Sequence, residues 1–210
     1  IVADALAERP DIVLGLATGE TMRPVYARLV ARHRAGELTL ARATTFNLDE
    51  YVGVAPGHQA SFASFMRAEL FDHVDIDPAR AHLPRGDAPD PAEEARRYDA
   101  AITMAGGIAL QLLGLGRNGH LAFNEPTSSL GSRTRLKTLT ESTRQANAPL
   151  FAPDPTPRQA ITMGIATILD SRACLLLATG AAKAEAAARM IEGPLGADCP
   201  GTALQLHPAA

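Results

Sequence analysis

The chain has 210 residues, with 20 Lys and Arg against 23 Asp and Glu, a net charge of −3 and 46% hydrophobic residues. That length fits one domain that buries roughly 70% of its unfolded surface without a disulfide or a metal to hold it together. A near-balanced charge with no basic block argues against nucleic acid or an anionic membrane as the main partner, no apolar run approaches the roughly eighteen residues of a membrane span, and no signal peptide is visible.

Ile1, with no methionine before it, stands in what reads as the last turns of a helix. Asp11 to Leu16, bounded by Pro10 and a glycine turn, predicts a buried parallel strand. Thr21 to Arg34 follows as a helix whose Val25, Tyr26, Leu29 and Val30 are spaced for one buried face. Ala43 to Leu48 is the second strand and ends in Asp49-Glu50-Tyr51. Ser61 to Val74 is helical, and Pro91 to Met104 is a helix begun by proline in its first turn. Ile108 to Leu115 predicts the third strong strand. Arg133 to Leu139 alternates in residue type, Pro157 to Leu169 reads as a helix, Ala173 to Ala178 as another buried strand, and Ala182 to Ile191 as an alanine-rich helix. Cys174 lies in an apolar run and Cys199 in a Pro/Gly-rich loop, which makes no disulfide framework and favours a reducing cytoplasm. The chain stops at Pro208-Ala209-Ala210 with no closing element, so both ends read as trimmed.

Strand then helix, repeated, with continuous apolar strands, predicts a parallel sheet covered on both faces: one α/β domain over residues 1–210. Ligands of such sheets bind beyond the carboxyl ends of the strands. Four loops therefore matter: Ala17 to Thr21, Asp49 to Gly53, Gly116 to Glu125 and Gly180 to Lys183.

Gly114-x-Gly116-x-x-Gly119 matches the dinucleotide fingerprint on spacing alone. That fingerprint needs a helix directly after the glycines, and Asn124-Glu125-Pro126 disfavours one, so NAD binding is set aside. Acid–base chemistry fits the loop better. His120 exchanges a proton near neutral pH, Glu125 is close enough to hold its ring, and Asn118 can donate to a developing negative oxygen. Singly, each reads as a satisfied buried group or a turn residue; together, at the mouth of a strand, they read as a site. The residues alone leave Asp49 evenly placed between a turn or cap carboxylate and a general base whose pKa burial would raise. Thr18, Gly19 and Thr21 offer hydroxyls and backbone N–H groups at a helix start, which suits a phosphate. Glu20 brings negative charge there, and Lys183 is either a compensating cation or an ordinary surface lysine. Arg133, Arg135 and Lys137 share one face of a strand, usually a solvated edge and less often an anion site.

Six segments, in order, resemble the glucosamine-6-phosphate deaminase (isomerase) family: LGLATGET (14–21), TTFNLDEYVG (44–53), SFASFMRAELFDHVDI (61–76), GLGRNGHLAFNEP (114–126), SRTRLKTLTESTRQANA (132–148) and LQLHP (204–208). The related 6-phosphogluconolactonases share the Gly-His loop but are not expected to carry Asn124-Glu125-Pro126 or Asn47 to Tyr51. The resemblance implies a three-layer αβα fold with a mostly parallel, Rossmann-like sheet and a cofactor-free, metal-free reaction on a phosphosugar. It implies that His120 opens the sugar ring with Asn118 and Glu125, and that Asp49 moves the C2 proton. Thr18, Gly19, Thr21 and Lys183 would hold the phosphate. Ser128, Arg135 and Lys137 match an allosteric anion site found between subunits of hexameric members, which leaves a homo-oligomer open. The chain departs from the pattern at Glu20, where Gly or Ser is expected, and at Pro149, where many members carry a phosphate-gripping arginine. Two rival readings are a sugar-phosphate lactonase and a sensor that binds sugar phosphates without turnover.

Overall fold

The computed structural model describes residues 1–210. Helix α1 (Val2–Glu8) leads into β1 (Val13–Leu16), α2 (Arg23–Arg34), β2 (Thr44–Asn47) and β3 (Asp49–Tyr51). Then come α3 (Phe62–Glu69), β4 (Ala81–His82), α4 (Pro91–Met104), β5 (Leu110–Gly114) and β6 (Arg135–Thr138). The chain closes with α5 (Glu141–Phe151), β7 (Gln159–Thr162), α6 (Ile165–Leu169), β8 (Cys174–Leu177), α7 (Ala184–Glu192) and a 3-10 turn over Pro200–Leu206.

Five strands form a parallel sheet in the order β4-β2-β1-β5-β8, flanked by helices, as the apolar runs predict. Its core is one cluster of 33 buried residues, Leu14, Leu16, Phe46, Leu112 and Leu113 among them, against a second cluster of only 7 beneath the small sheet. Local chemistry sets several helix starts. Ser61 accepts from Ser64 N at 3.0 Å to cap α3, and Asp90 accepts from Ala92 N and Glu93 N ahead of Pro91 to cap α4. No helix is long and apolar enough to cross a membrane.

The small sheet departs from the expectations. Asp49-Glu50-Tyr51 is itself a strand, and with β7 and β6 it forms an antiparallel sheet in the order β3-β7-β6. The predicted helix over Pro157 to Leu169 is therefore a strand, β7, followed by the short helix α6. Strand β7 lies between two partners with Ala160, Ile161 and Thr162 all buried, so it reads as a continuous apolar run, and periodicity cannot separate such a strand from a buried helix. Gly164 allows the break: a Cβ there would collide with the backbone of Ser132.

Leu48 joins the two sheets. Its N–H donates to Leu16 O at 3.1 Å at the end of β1, while its carbonyl accepts from Met163 N at 2.7 Å just past β7. One residue thus carries the chain from the large sheet to the small one and leaves Asp49 beside the carboxyl ends of the parallel strands. From β1 the chain winds outward through β2 and β4, and then returns to β5 and β8 on the other side. The crevice at that reversal, between the ends of β1 and β5, is where such sheets bind ligands.

Candidate active site

The loops after β1, β5 and β8 leave adjacent parallel strands at this end of the sheet, and the one after β5 carries the predicted trio. Gly119 N donates to Gly116 O at 3.1 Å and Gly116 N to His120 O at 2.9 Å, a tight turn closed by Gly119 at φ 83°. Gly116 has to be glycine for packing, because a Cβ would run into the His120 ring. Farther on, Ala122 (φ 51°) and Thr127 (φ 74°) hold left-handed backbone, which costs non-glycine residues about 1–2 kcal/mol each. Fully buried Asn124 holds the strained loop down by donating to Leu121 O at 2.9 Å and to Met163 O at 2.8 Å.

The predicted trio is assembled here. His120 Nδ1 lies 2.6 Å from Asn118 Oδ1, and Asn118 Nδ2 donates to Glu125 Oε2 at 2.7 Å. With the Asn118 amide pointing its nitrogen at Glu125, its oxygen accepts from His120 Nδ1–H, so Nε2 carries the lone pair of the neutral ring. The Glu125 carboxylate also stands 3.4 Å from His120 Nδ1 and accepts from the Thr143 hydroxyl of α5. Burial alone would raise the Glu125 pKa, but hydrogen bonds from His120, Thr143 and Asn118 overcome it and bring it to about 2. Thr143 is a site residue that sequence reasoning missed. It lies eighteen positions beyond Glu125 in an element with no local chemical signal of its own.

Asp49 faces the same loop. It shares a side of β3 with Tyr51, whose ring packs 5.4 Å from that of Phe123, and it pairs with Thr162, whose Oγ1 accepts from Phe123 N at 3.2 Å. Burial, and then the charge of Glu50, push the Asp49 carboxyl up to about 8. Its neighbour does something different: Glu50 accepts from Tyr51 N, Phe62 N and Ala63 N at 2.9–3.0 Å, which caps α3. The carboxylate pair therefore divides into one structural cap and one free acid.

The loop after β1 presents Thr18, Gly19 (φ 109°) and Thr21 ahead of α2, whose first turn has no side-chain cap. Glu20 does not enter the cradle. Its side chain is 86% exposed and accepts from Arg23 Nε at 2.9 Å. Lys183 ends the loop after β8, the strand beside β5. Its pKa is lowered, first by burial and then by the positive charge of Arg117. The proposed second anion site is not drawn together by any hydrogen bond. Ser128 is buried with its hydroxyl unpartnered, the Arg135 pKa is lowered by burial, and Arg133 is paired with Asp170. A cavity of about 350 Å³, lined by Asp99, Thr103, Arg133 and Ser171 among others, opens at the other end of the sheet, before β5, and holds none of the trio.

Residues 1–209 match the family described as "Glucosamine-6-phosphate isomerases/6-phosphogluconolactonase". A glucosamine-6-phosphate deaminase of Hahella chejuensis is 55% identical over 98% of this chain and 78% of its own length. The solved structure of a monomeric glucosamine-6-phosphate deaminase superposes with a TM-score of 0.96 at 45% identity, covering 99% of this chain and 87% of that one. The 6-phosphogluconolactonase of Trypanosoma cruzi, at 18% identity and a TM-score of 0.75 over 99% of this chain and 86% of its own, shares the fold.

Proposed function

Because the chain belongs to the glucosamine-6-phosphate isomerase/6-phosphogluconolactonase family, we propose that it acts as a deaminase, converting glucosamine 6-phosphate and water to fructose 6-phosphate and ammonia. One observation carries the reading beyond membership: two buried carboxylates are driven apart, Glu125 to about 2 and Asp49 to about 8. Such a split assigns separate tasks to the two groups. Glu125 is ionised at every working pH and supports a histidine, while Asp49 exchanges a proton near neutrality.

In this reading His120 Nε2 accepts the C1 hydroxyl proton as the C1–O5 bond breaks and then passes that proton to O5. Asn118 fixes the ring orientation, and the Glu125 charge stabilises the imidazolium that forms. Asp49 then removes the C2 proton beside the new aldehyde, the substrate's ammonium passes a proton to the C1 oxygen to give an enolamine, and Asp49 returns its proton to C1. The resulting imine at C2 adds water and expels ammonia. The phosphate rests on the amides and hydroxyls of Thr18, Gly19 and Thr21, with Lys183 opposite. The free, buried Cys174 and Cys199 suit a reducing cytoplasm. On the oligomeric state, the relative described as monomeric favours a single chain as the working unit.

An ammonia-release assay across amino-sugar phosphates and their unphosphorylated forms tests the proposal. We expect turnover of glucosamine 6-phosphate, solvent exchange of its C2 proton, and a loss of roughly 10²–10⁴-fold in Asp49→Asn. Full turnover in Asp49→Asn would remove the assigned base. Hydrolysis of 6-phosphogluconolactone that ignores this substitution would favour a lactonase, and binding without turnover would favour a sensor.

A further inference from the structure

The turn that presents Asn118 to Glu125 also carries Arg117 at its exposed tip. Gly114 pairs with Leu177 in the sheet, so the chain segments leaving β5 and β8 run out side by side, and the Thr18–Thr21 loop leaves β1 on the other flank of β5. Arg117 and Lys183 therefore converge on the crevice from adjacent strand ends. Lys183 feels the Arg117 charge, which helps hold its pKa down. Neither cation joins an ion pair, whereas Arg23 is occupied by Glu20 and Glu69, Arg144 by Glu141 and Arg189 by Asp198.

Two unneutralised cations kept together repel each other, and a doubly charged anion between them removes that cost. The start of α2, a twelve-residue helix with no side-chain cap, adds the positive end of its dipole to the same crevice. On α5, the exposed Pro149 supplies no cation. We propose that Arg117 is a substrate-binding residue that grips the phosphate of the amino sugar together with Lys183 and makes this chain selective for phosphorylated over free amino sugars. The inference rests on the deaminase reading for the identity of the substrate.

The test compares Arg117→Ala and Arg117→Lys with the parent in steady-state kinetics on glucosamine 6-phosphate, with inorganic phosphate as competitive inhibitor. Because Arg117 is exposed and unpaired, both variants should fold, and circular dichroism checks that they do. Loss of a charge-assisted phosphate contact should raise KM about 10- to 100-fold while kcat stays within about threefold, and inhibition by phosphate should weaken in parallel. Lysine should restore only part of the loss, because it lacks the guanidinium fork. Unchanged KM and unchanged phosphate inhibition would overturn the inference. So would a fall in kcat alone, which would mean that Arg117 merely shapes the turn bearing Asn118 and His120. If the parent chain releases no ammonia, the deaminase reading fails, and the clamp is judged by calorimetric titration with glucosamine 6-phosphate and with inorganic phosphate. Weaker binding of both by Arg117→Ala would sustain the clamp, and equal binding would end it.

Discussion

Asp49 and Glu125 are 7% and 3% exposed, yet their protons behave in opposite ways. Glu125 has three donors aimed at it, so the charged form wins despite burial. Asp49 has burial and a neighbouring acidic residue, so the neutral form wins. If Asp49 is the base, kcat/KM should climb with pH along an acid limb centred near 8, as the carboxyl ionises. The same shift fixes the sign for stability. Asp49 has a folded pKa above its unfolded value, so its contribution is complete below the unfolded pKa and is lost as pH rises through about 8. The parent's Tm should accordingly fall relative to that of Asp49→Asn between about pH 4 and about pH 8, a divergence that calorimetry across pH would read; parallel Tm profiles over that range would refute the shifted carboxyl. Glu20 shows how far local reading extends. Its identity announces a charge in the loop after β1, but only the position of Arg23, three residues on, reveals that the charge is drawn outward.

At the scale of elements, the loop after β5 rests on both clusters, with Leu121 packed in the main core and Phe123 in a smaller aromatic one. Tyr51 of β3 meets Phe62, Phe123 and Phe151 at ring separations of 4.8, 5.4 and 4.9 Å, and Phe62 stacks on Phe123 at 6.0 Å. The cluster ties α3, the small sheet, the loop and the end of α5 to one another. Truncating Phe123 to Ala should cost about 3–5 kcal/mol by denaturant unfolding, and should lower turnover even at temperatures where the variant is fully folded, because the loop loses its support. A variant that lost stability but kept parental turnover would show that the cluster only stabilises. The parallel strands and most long helices were legible because buried parallel strands carry uninterrupted apolar runs and amphipathic helices carry a stripe. Strand β7 was not legible, since a four-residue strand covered on both sides has the same signature as a buried turn of helix.

Across the whole molecule, stability is unevenly distributed. The central strands β1, β2 and β5 lie inside the 33-residue cluster, while β6 is an edge strand with no fully buried residue and α5 buries only Phe151. Hydrogen exchange should therefore protect amides of β1, β2 and β5 longest and release those of α5 and β6 early. Uniform protection across both sheets would contradict this division. α5 carries the Thr143 hydroxyl that helps hold Glu125 ionised, so a sparsely buried helix completes the hydrogen bonding of a loop that begins at the end of the parallel sheet.

The sequence by itself determined the class of fold and the grouping of Asn118, His120 and Glu125 in one turn, because short-range spacing and strand patterning depend on neighbours within a few residues. Tertiary structure decided the rest. Whether the Asp49 carboxyl is spent on a cap, as that of Glu50 is, or left free depended on which way β3 faces, and that is set by its pairing with β7, more than a hundred residues away. The separate duties of Asp49 and Glu50 and the approach of Arg117 to Lys183 arise from elements that meet only after folding. Burial and long-range charge, which tune these groups, have no local signature in the chain.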